Sequence, residues 1–302
     1  MKHSRATARR LPGNPILRNF MEPRMGSNVN GPSLLRTRPW MTGRLGRYHL
    51  YFAHHLGSYI RLAFADALEG PWRVHAPGVL DIAQMPWIHE HCASPDVHVD
   101  EDARQIRMYF HGIDDPDPWE NPRQSSFVAL SSDGLSFTPH PERLGASYFR
   151  VWAADGVHYA LSLGGQLWRG ANPLAAFTPG PVLAGLPQGT RHLAVLPSHD
   201  DLWVAWSVIG DRPERIMAGR VDTRAAWTDW FVTDVCELLR PEHDWEGAAL
   251  PLLPSEVGLA STPVRQLRDP AFYSEAGRDY LLYSAAGEAG IAIAEFTHQG
   301  AR

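Results

Sequence analysis

Apolar residues recur at alternate positions in short runs along this chain, and helical spacing is scarce. The clearest runs are Arg47-Tyr48-His49-Leu50-Tyr51-Phe52, Ile106-Arg107-Met108-Tyr109-Phe110, Val157-His158-Tyr159-Ala160-Leu161, Leu202-Trp203-Val204-Ala205-Trp206 and Tyr280-Leu281-Leu282-Tyr283. Each is rich in β-branched or aromatic residues and is bounded by Gly, Pro or Asp, the signature of a strand with one face or both in a core. The 26 glycines and 25 prolines supply tight turns between them. The pattern predicts an all-β protein.

The runs fall into a unit that occurs five times: a leading strand, a polar turn, an aromatic strand, then a strand of small and apolar residues. The copies begin at "GPSLLRTRPW", "ASPDVHVDED", "YFRVWAADGV", "RHLAVLPSHD" and "LRDPAFYSEA". Their starts lie ~40 to 80 residues apart, the scale of propeller blades with inserted loops. Five such sheets around an axis give a five-bladed β-propeller. A pair of stacked sheets would leave five matched leading strands unexplained. The expected organisation is a flexible basic tail over residues 1–12 and one propeller domain over 13–302, with "NPILRNF" placed to help close the ring.

In a propeller the leading strands line the central channel. Here they bring Asn30-Gly31-Pro32-Ser33, Ser94-Pro95-Asp96, Phe149-Arg150, Arg191-His192 and Arg268-Asp269-Pro270 toward one mouth, where a β core would ask for Val or Ile. Asp96 and Asp269 come from non-adjacent blades, and Glu246 lies in "DWEGAALPL" in the connection before the fifth copy. Paired carboxylates across a cleft are the equipment of glycoside hydrolysis: one donates a proton to the leaving oxygen, the other activates water or attacks. Arg268 either holds its neighbour Asp269 ionised or grips a substrate anion. Arg150 and Arg191 add positive charge, as substrate ligands or as structural counter-ions. Asn30, His54, His55, His91, His111 and His192 complete the expected substrate-binding set, with Arg61 either reaching the funnel or bridging blades and Arg215 returning inward. His89, His91 and His98 form a spacing that matches no closed zinc pattern, so no metal and no cofactor is expected. Glu288, in a turn, reads as a solvated residue.

Composition narrows the field. The formal net charge of −5 over 302 residues argues against general nucleic-acid binding. No apolar stretch reaches membrane-spanning length. Two cysteines make no disulfide framework, and Arg9-Arg10 is followed by Leu11-Pro12-Gly13 without a signal-type apolar region, so a cytoplasmic location is expected. The 11 tryptophans read first as core. Oligomeric state is not legible.

With the motifs in view, "ASPDVHVD" resembles the "APDV" strand of the five-bladed glycoside hydrolases of family 43. "RDPAFYSEAGRDYLLYS" is similar to the "RDP" strand and following "G-x-Y-Y-L" of the same superfamily, which includes the family 32 and 68 fructosidases. "GRYHLYFAHHLGSYIRLAFADALEGPW" is similar to a family 43 blade that closes on "GPW". The likeness spans roughly residues 13–297. It implies a glycosidase using an Asp base, a second tuning Asp and a Glu acid: Asp269 or Asp96 as base and Glu246, matched by its "EG" setting, as acid. The first copy departs from the pattern, with Asn28, Asn30 and Ser33 where the family keeps its Asp base. The expected substrate is a small oligosaccharide or glycoside. A phosphate-dependent phosphorylase or transferase and a non-catalytic sugar-binding propeller are the alternatives.

Overall fold

In the computed structural model, which describes residues 6–114 and 123–298, the chain forms five antiparallel sheets that follow one another around an axis. The first comprises Asn30–Arg36, Tyr48–Ala53, Tyr59–Ala65 and Arg73–Asp81. The second comprises Glu90–Asp100, Gln105–Ile113 and Gln124–Ser131, with short outer pieces at Thr138–Pro139 and Gly145–Ala146. The third runs Arg150–Ala154, Val157–Leu161, Gln166–Gly170 and Thr178–Val182. The fourth runs Thr190–Ser198, Asp201–Val208, Ile216–Asp222 and Val232–Leu239. The fifth has Arg268–Glu275, Arg278–Ala285 and Gly290–His298, and takes its outer strand from the opposite end of the chain, Ala6–Arg10. This is the five-bladed β-propeller that the repeat predicts.

Residues 6–10 of the expected free tail are therefore paired in the fifth blade. Ala6 pairs with His298 and Arg10 with Ala294, and Leu17–Arg18 adds two more residues to the same strand. Joining both ends of the chain in one sheet closes the ring and covers an edge that would otherwise stand open. Glu246 helps hold this closure. It is fully buried, accepts two hydrogen bonds from Arg10 (2.7 and 2.9 Å) and one from the Tyr283 hydroxyl (2.9 Å), and caps the backbone N–H groups of Glu242 and His243.

Five apolar clusters hold the ring, each between two neighbouring blades. Tyr48, Leu50 and Phe52 meet Leu282, Ile291 and Ile293 from the fifth blade; Tyr51 and Leu62 meet Met108 and Phe127 of the second. A blade sandwiched in this way buries both faces of its middle strands, which is why Tyr48–Ala53 is buried at every position. Trp203 and Trp206 are fully buried in the fourth blade. Among the described residues no helix is long and apolar enough to cross a membrane.

Candidate active site

The inner strands share one irregularity. Pairing with the next strand skips Gly31-Pro32, Ser94-Pro95, His192-Leu193 and Asp269-Pro270 in four blades. In the third blade Tyr148-Phe149 occupies the same place just ahead of Arg150–Ala154. The first residue of each pair has a positive φ: 55° at Gly31, 50° at Ser94, 68° at Tyr148, 51° at His192 and 48° at Asp269. A bulge re-aims a side chain, and here each blade aims one position at the same mouth. For the four non-glycine residues this conformation costs roughly 1–2 kcal/mol each. Strain of this kind concentrates at functional sites. At Gly31 a Cβ would lie 2.8 Å from the Ser94 Cα, so the first blade contributes no side chain from this position. Of the five positions, Asp269 alone is a carboxylate.

These residues open onto a cavity of about 280 Å³ whose polar lining includes Asn30, His55, His91, His111, Tyr148, His192 and Asp269. Asp269 is 2% exposed. Its Oδ1 accepts a hydrogen bond from the Tyr148 hydroxyl (3.2 Å) and lies 3.6 Å from His192 Nε2; its Oδ2 is buried without a partner. Burial, reinforced by the charge of Glu288, pushes the Asp269 carboxyl up to about 6. Burial also moves the imidazoles the other way: His91 falls to about 4, and His111 and His192 fall well below their ordinary range, so all three are neutral. The Tyr148 ring lies between His111 and His192, with centroids 5.9 and 5.7 Å away, and the Arg150 guanidinium backs it at 4.3 Å.

A buried ion network backs this wall, and one of its members, Arg191, also lines the cavity. Arg191 donates to both oxygens of Glu214 at 2.8 and 2.6 Å. Arg268 lies 3.1 Å from Glu214 and 3.1 Å from Glu288 and also donates to Gln266. Asn28 donates to Glu288 and accepts the His55 backbone N–H, while His55 Nδ1 lies 3.4 Å from Glu288. Two arginines and two glutamates cancel in a buried space, an arrangement that loses several kcal/mol if one partner is removed. Glu288 is thus a buried ion-pair member, not a solvated turn residue. Arg268 sits in this network and not on the cavity wall.

The other expected carboxylates lie elsewhere. Asp96 lines a second cavity of about 340 Å³, with Trp152 and Tyr273, on the other side of Arg150. Its Oδ2 accepts the Val151 N–H at 2.8 Å and lies 2.9 Å from His98 Nε2. Burial alone would raise this carboxyl; His98, Arg150 and the Val151 N–H outweigh it and leave it below its ordinary value. Arg150 donates to the carbonyls of Ser94, Pro95 and Leu193 from neighbouring blades, and so spans the channel between the two cavities. Asp96 and Asp269 consequently line different cavities. Glu246, locked to Arg10 at the ring closure, lines neither cavity. Arg215 pairs with Asp211 and Glu237, Arg61 stacks on Tyr59 at 4.6 Å, and His54 accepts the Leu56 N–H; none of the three lines the 280 Å³ cavity.

Asn30, His55, His91, His111 and His192 do converge there, as the sequence predicts. Tyr148, Gln124 and Glu214 were not singled out. Tyr148 was within reach: it stands directly before Phe149-Arg150 and occupies the place that His192 and Asp269 hold in their copies.

No protein-family model matches the chain. It is 36% identical over 317 residues to "Uncharacterized protein R118" of Acanthamoeba polyphaga mimivirus, an alignment covering 94% of this chain and 88% of that protein. Among solved structures it superposes on CoXyl43, a family 43 β-xylosidase/α-arabinofuranosidase from a compost microbial metagenome in complex with xylotriose, with a TM-score of 0.65 and 12% identity over 98% of this chain and 96% of that one. A family 43 enzyme of Xanthomonas citri matches with a TM-score of 0.60 and 13% identity over 90% and 88% of the two chains. A putative glycoside hydrolase of Bacteroides ovatus gives 0.62 and 14% over 95% of each. The likeness to family 43 thus holds for the fold, and by sequence the chain belongs to the family of the mimivirus protein R118.

Proposed function

We propose that the protein cleaves a glycosidic bond at the Tyr148–His192–Asp269 mouth, with Asp269 as the proton donor. The observation that carries this reading is the free Oδ2 of Asp269: a buried carboxyl oxygen without a partner, on a polar cavity wall. A carboxyl held near 6 keeps a proton to give under mildly acidic to neutral conditions. The neutral imidazoles of His91, His111 and His192 accept hydrogen bonds from sugar hydroxyls or from the attacking water. The cavity volume of about 280 Å³ suits one sugar ring, since drug-sized ligands occupy ~300–1,000 Å³. Carbohydrate-binding relatives in the same fold, among them the enzyme in complex with xylotriose, support a sugar as ligand.

One observation favours a second reading, sugar binding without turnover. The Gly31 position excludes a side chain, so among the described residues the wall has one carboxylate where paired-carboxylate hydrolysis uses two. The phosphorolytic alternative is less favoured: Arg191 lines the cavity but is held bidentately by Glu214, and Arg268 is bound to Glu214 and Glu288 away from the wall. The test is a panel of aryl glycosides and short oligosaccharides, with and without phosphate, read by released sugar and by calorimetric binding. Release of free sugar independent of phosphate supports the hydrolase. Binding without product makes the protein a sugar-binding propeller, and neither binding nor product rejects both.

A further inference from the structure

The connection between the fourth and fifth blades, residues 240–267, contains little regular structure and leaves several aliphatic side chains in solvent. Leu253 is 58% exposed and Val257 81%. The loop is nevertheless tied down. Arg212 donates to the Leu252 carbonyl at 2.9 Å, Ser255 Oγ accepts the Gly210 N–H at 3.0 Å, and Arg268 donates to the Gly258 carbonyl at 3.1 Å. Val257 is therefore held between two anchors, Ser255 and Gly258. It lines the same cavity as Asp269, together with Leu163 from the short turn Leu163–Gly165 and Ile209 from the fourth blade. Leu163 is 49% exposed.

One cavity thus has a polar floor and an aliphatic rim drawn from three separate segments. A free monosaccharide satisfies the floor and leaves the rim wet. Resting on the glycoside reading above, we propose that the substrate is an amphipathic glycoside: its sugar ring sits on the Tyr148–His192–Asp269 floor, and an apolar aglycone, alkyl or aryl, lies against Leu163, Ile209 and Val257. Apolar area removed from water at the rim then adds to binding in proportion to aglycone size. An oligosaccharide substrate would instead call for hydroxyl and aromatic groups at this height of the wall.

The test compares methyl and hexyl glycosides of the same set of common monosaccharides, by calorimetry, for the native protein and for the double variant Leu163→Asp/Val257→Asp. Both side chains are exposed, so the fold tolerates the change. The expected result is about tenfold tighter binding of the hexyl member of a matched pair, and loss of that preference in the double variant. Equal affinity for the two members, or a preference that survives the double variant, overturns the rim while leaving the sugar floor standing. Failure of every glycoside to bind overturns the glycoside reading and the rim with it.

Discussion

Asp269 has one oxygen bonded to Tyr148 and one left bare in the cavity, and two measurements follow from its raised pKa. As a proton donor it must be protonated, so the rate of glycoside cleavage falls as pH rises through about 6. The same group costs stability. An unfolded Asp ionises near ~3.9, so between that pH and about 6 the folded state binds the additional proton, and stability declines as pH rises across the window. Asp269→Asn keeps an acceptor for Tyr148 and removes the buried charge. It is expected to unfold later than the native protein at pH 8, by up to about 3 kcal/mol, while turnover drops by about 10²–10⁴-fold. Glu246 should behave in the opposite way. Glu246→Ala strands Arg10 and is expected to cost about 3 kcal/mol or more in denaturant unfolding, with the rate per folded molecule unchanged.

At the scale of elements, the ring closure is the feature most open to attack. Removing residues 1–10 takes the outer strand from the fifth blade, exposes the edge of Gly290–His298 and frees the Glu246 carboxylate. The melting temperature is expected to fall by on the order of 10 °C, as read by circular dichroism or calorimetry. An unchanged value would mean that the closure adds nothing. The strands of each blade were legible because alternation and turn residues are local signals; all five repeat copies correspond to blades. The closing strand was not. "ATARR" is short and basic, and its partner "GIAIAEFTH" lies almost the whole chain away, so nothing nearby in sequence marks it as paired. The bulges were half visible, since Gly31-Pro32, Ser94-Pro95 and Asp269-Pro270 repeat a residue-plus-proline step, while Tyr148-Phe149 and His192-Leu193 lack the proline.

Across the whole molecule, the channel is a divided one. Arg150 crosses it, with a polar cavity containing Asp269 on one side and a second cavity containing Asp96 on the other. The leading strands told which residues reach the channel, and Asp96, Asp269, Arg150 and His192 all do. They did not tell at which depth each side chain points. That depends on two residues of bulge: Asp269 sits at its first position, and Asp96, two residues after the first position in its own strand, passes to the far side of Arg150. Glu246 was drawn into the expected site by its short motif alone, and its burial against Arg10 has no sequence signal. The direct measurement is turnover of the best substrate from the glycoside panel by Asp269→Asn and Asp96→Asn side by side, with folding of both checked by circular dichroism. Loss of turnover by two or more orders of magnitude in Asp269→Asn, with Asp96→Asn within about threefold of the native rate, is the predicted result. Full activity in Asp269→Asn together with an inactive, folded Asp96→Asn would move the chemistry to the other cavity and contradict the role of Asp269.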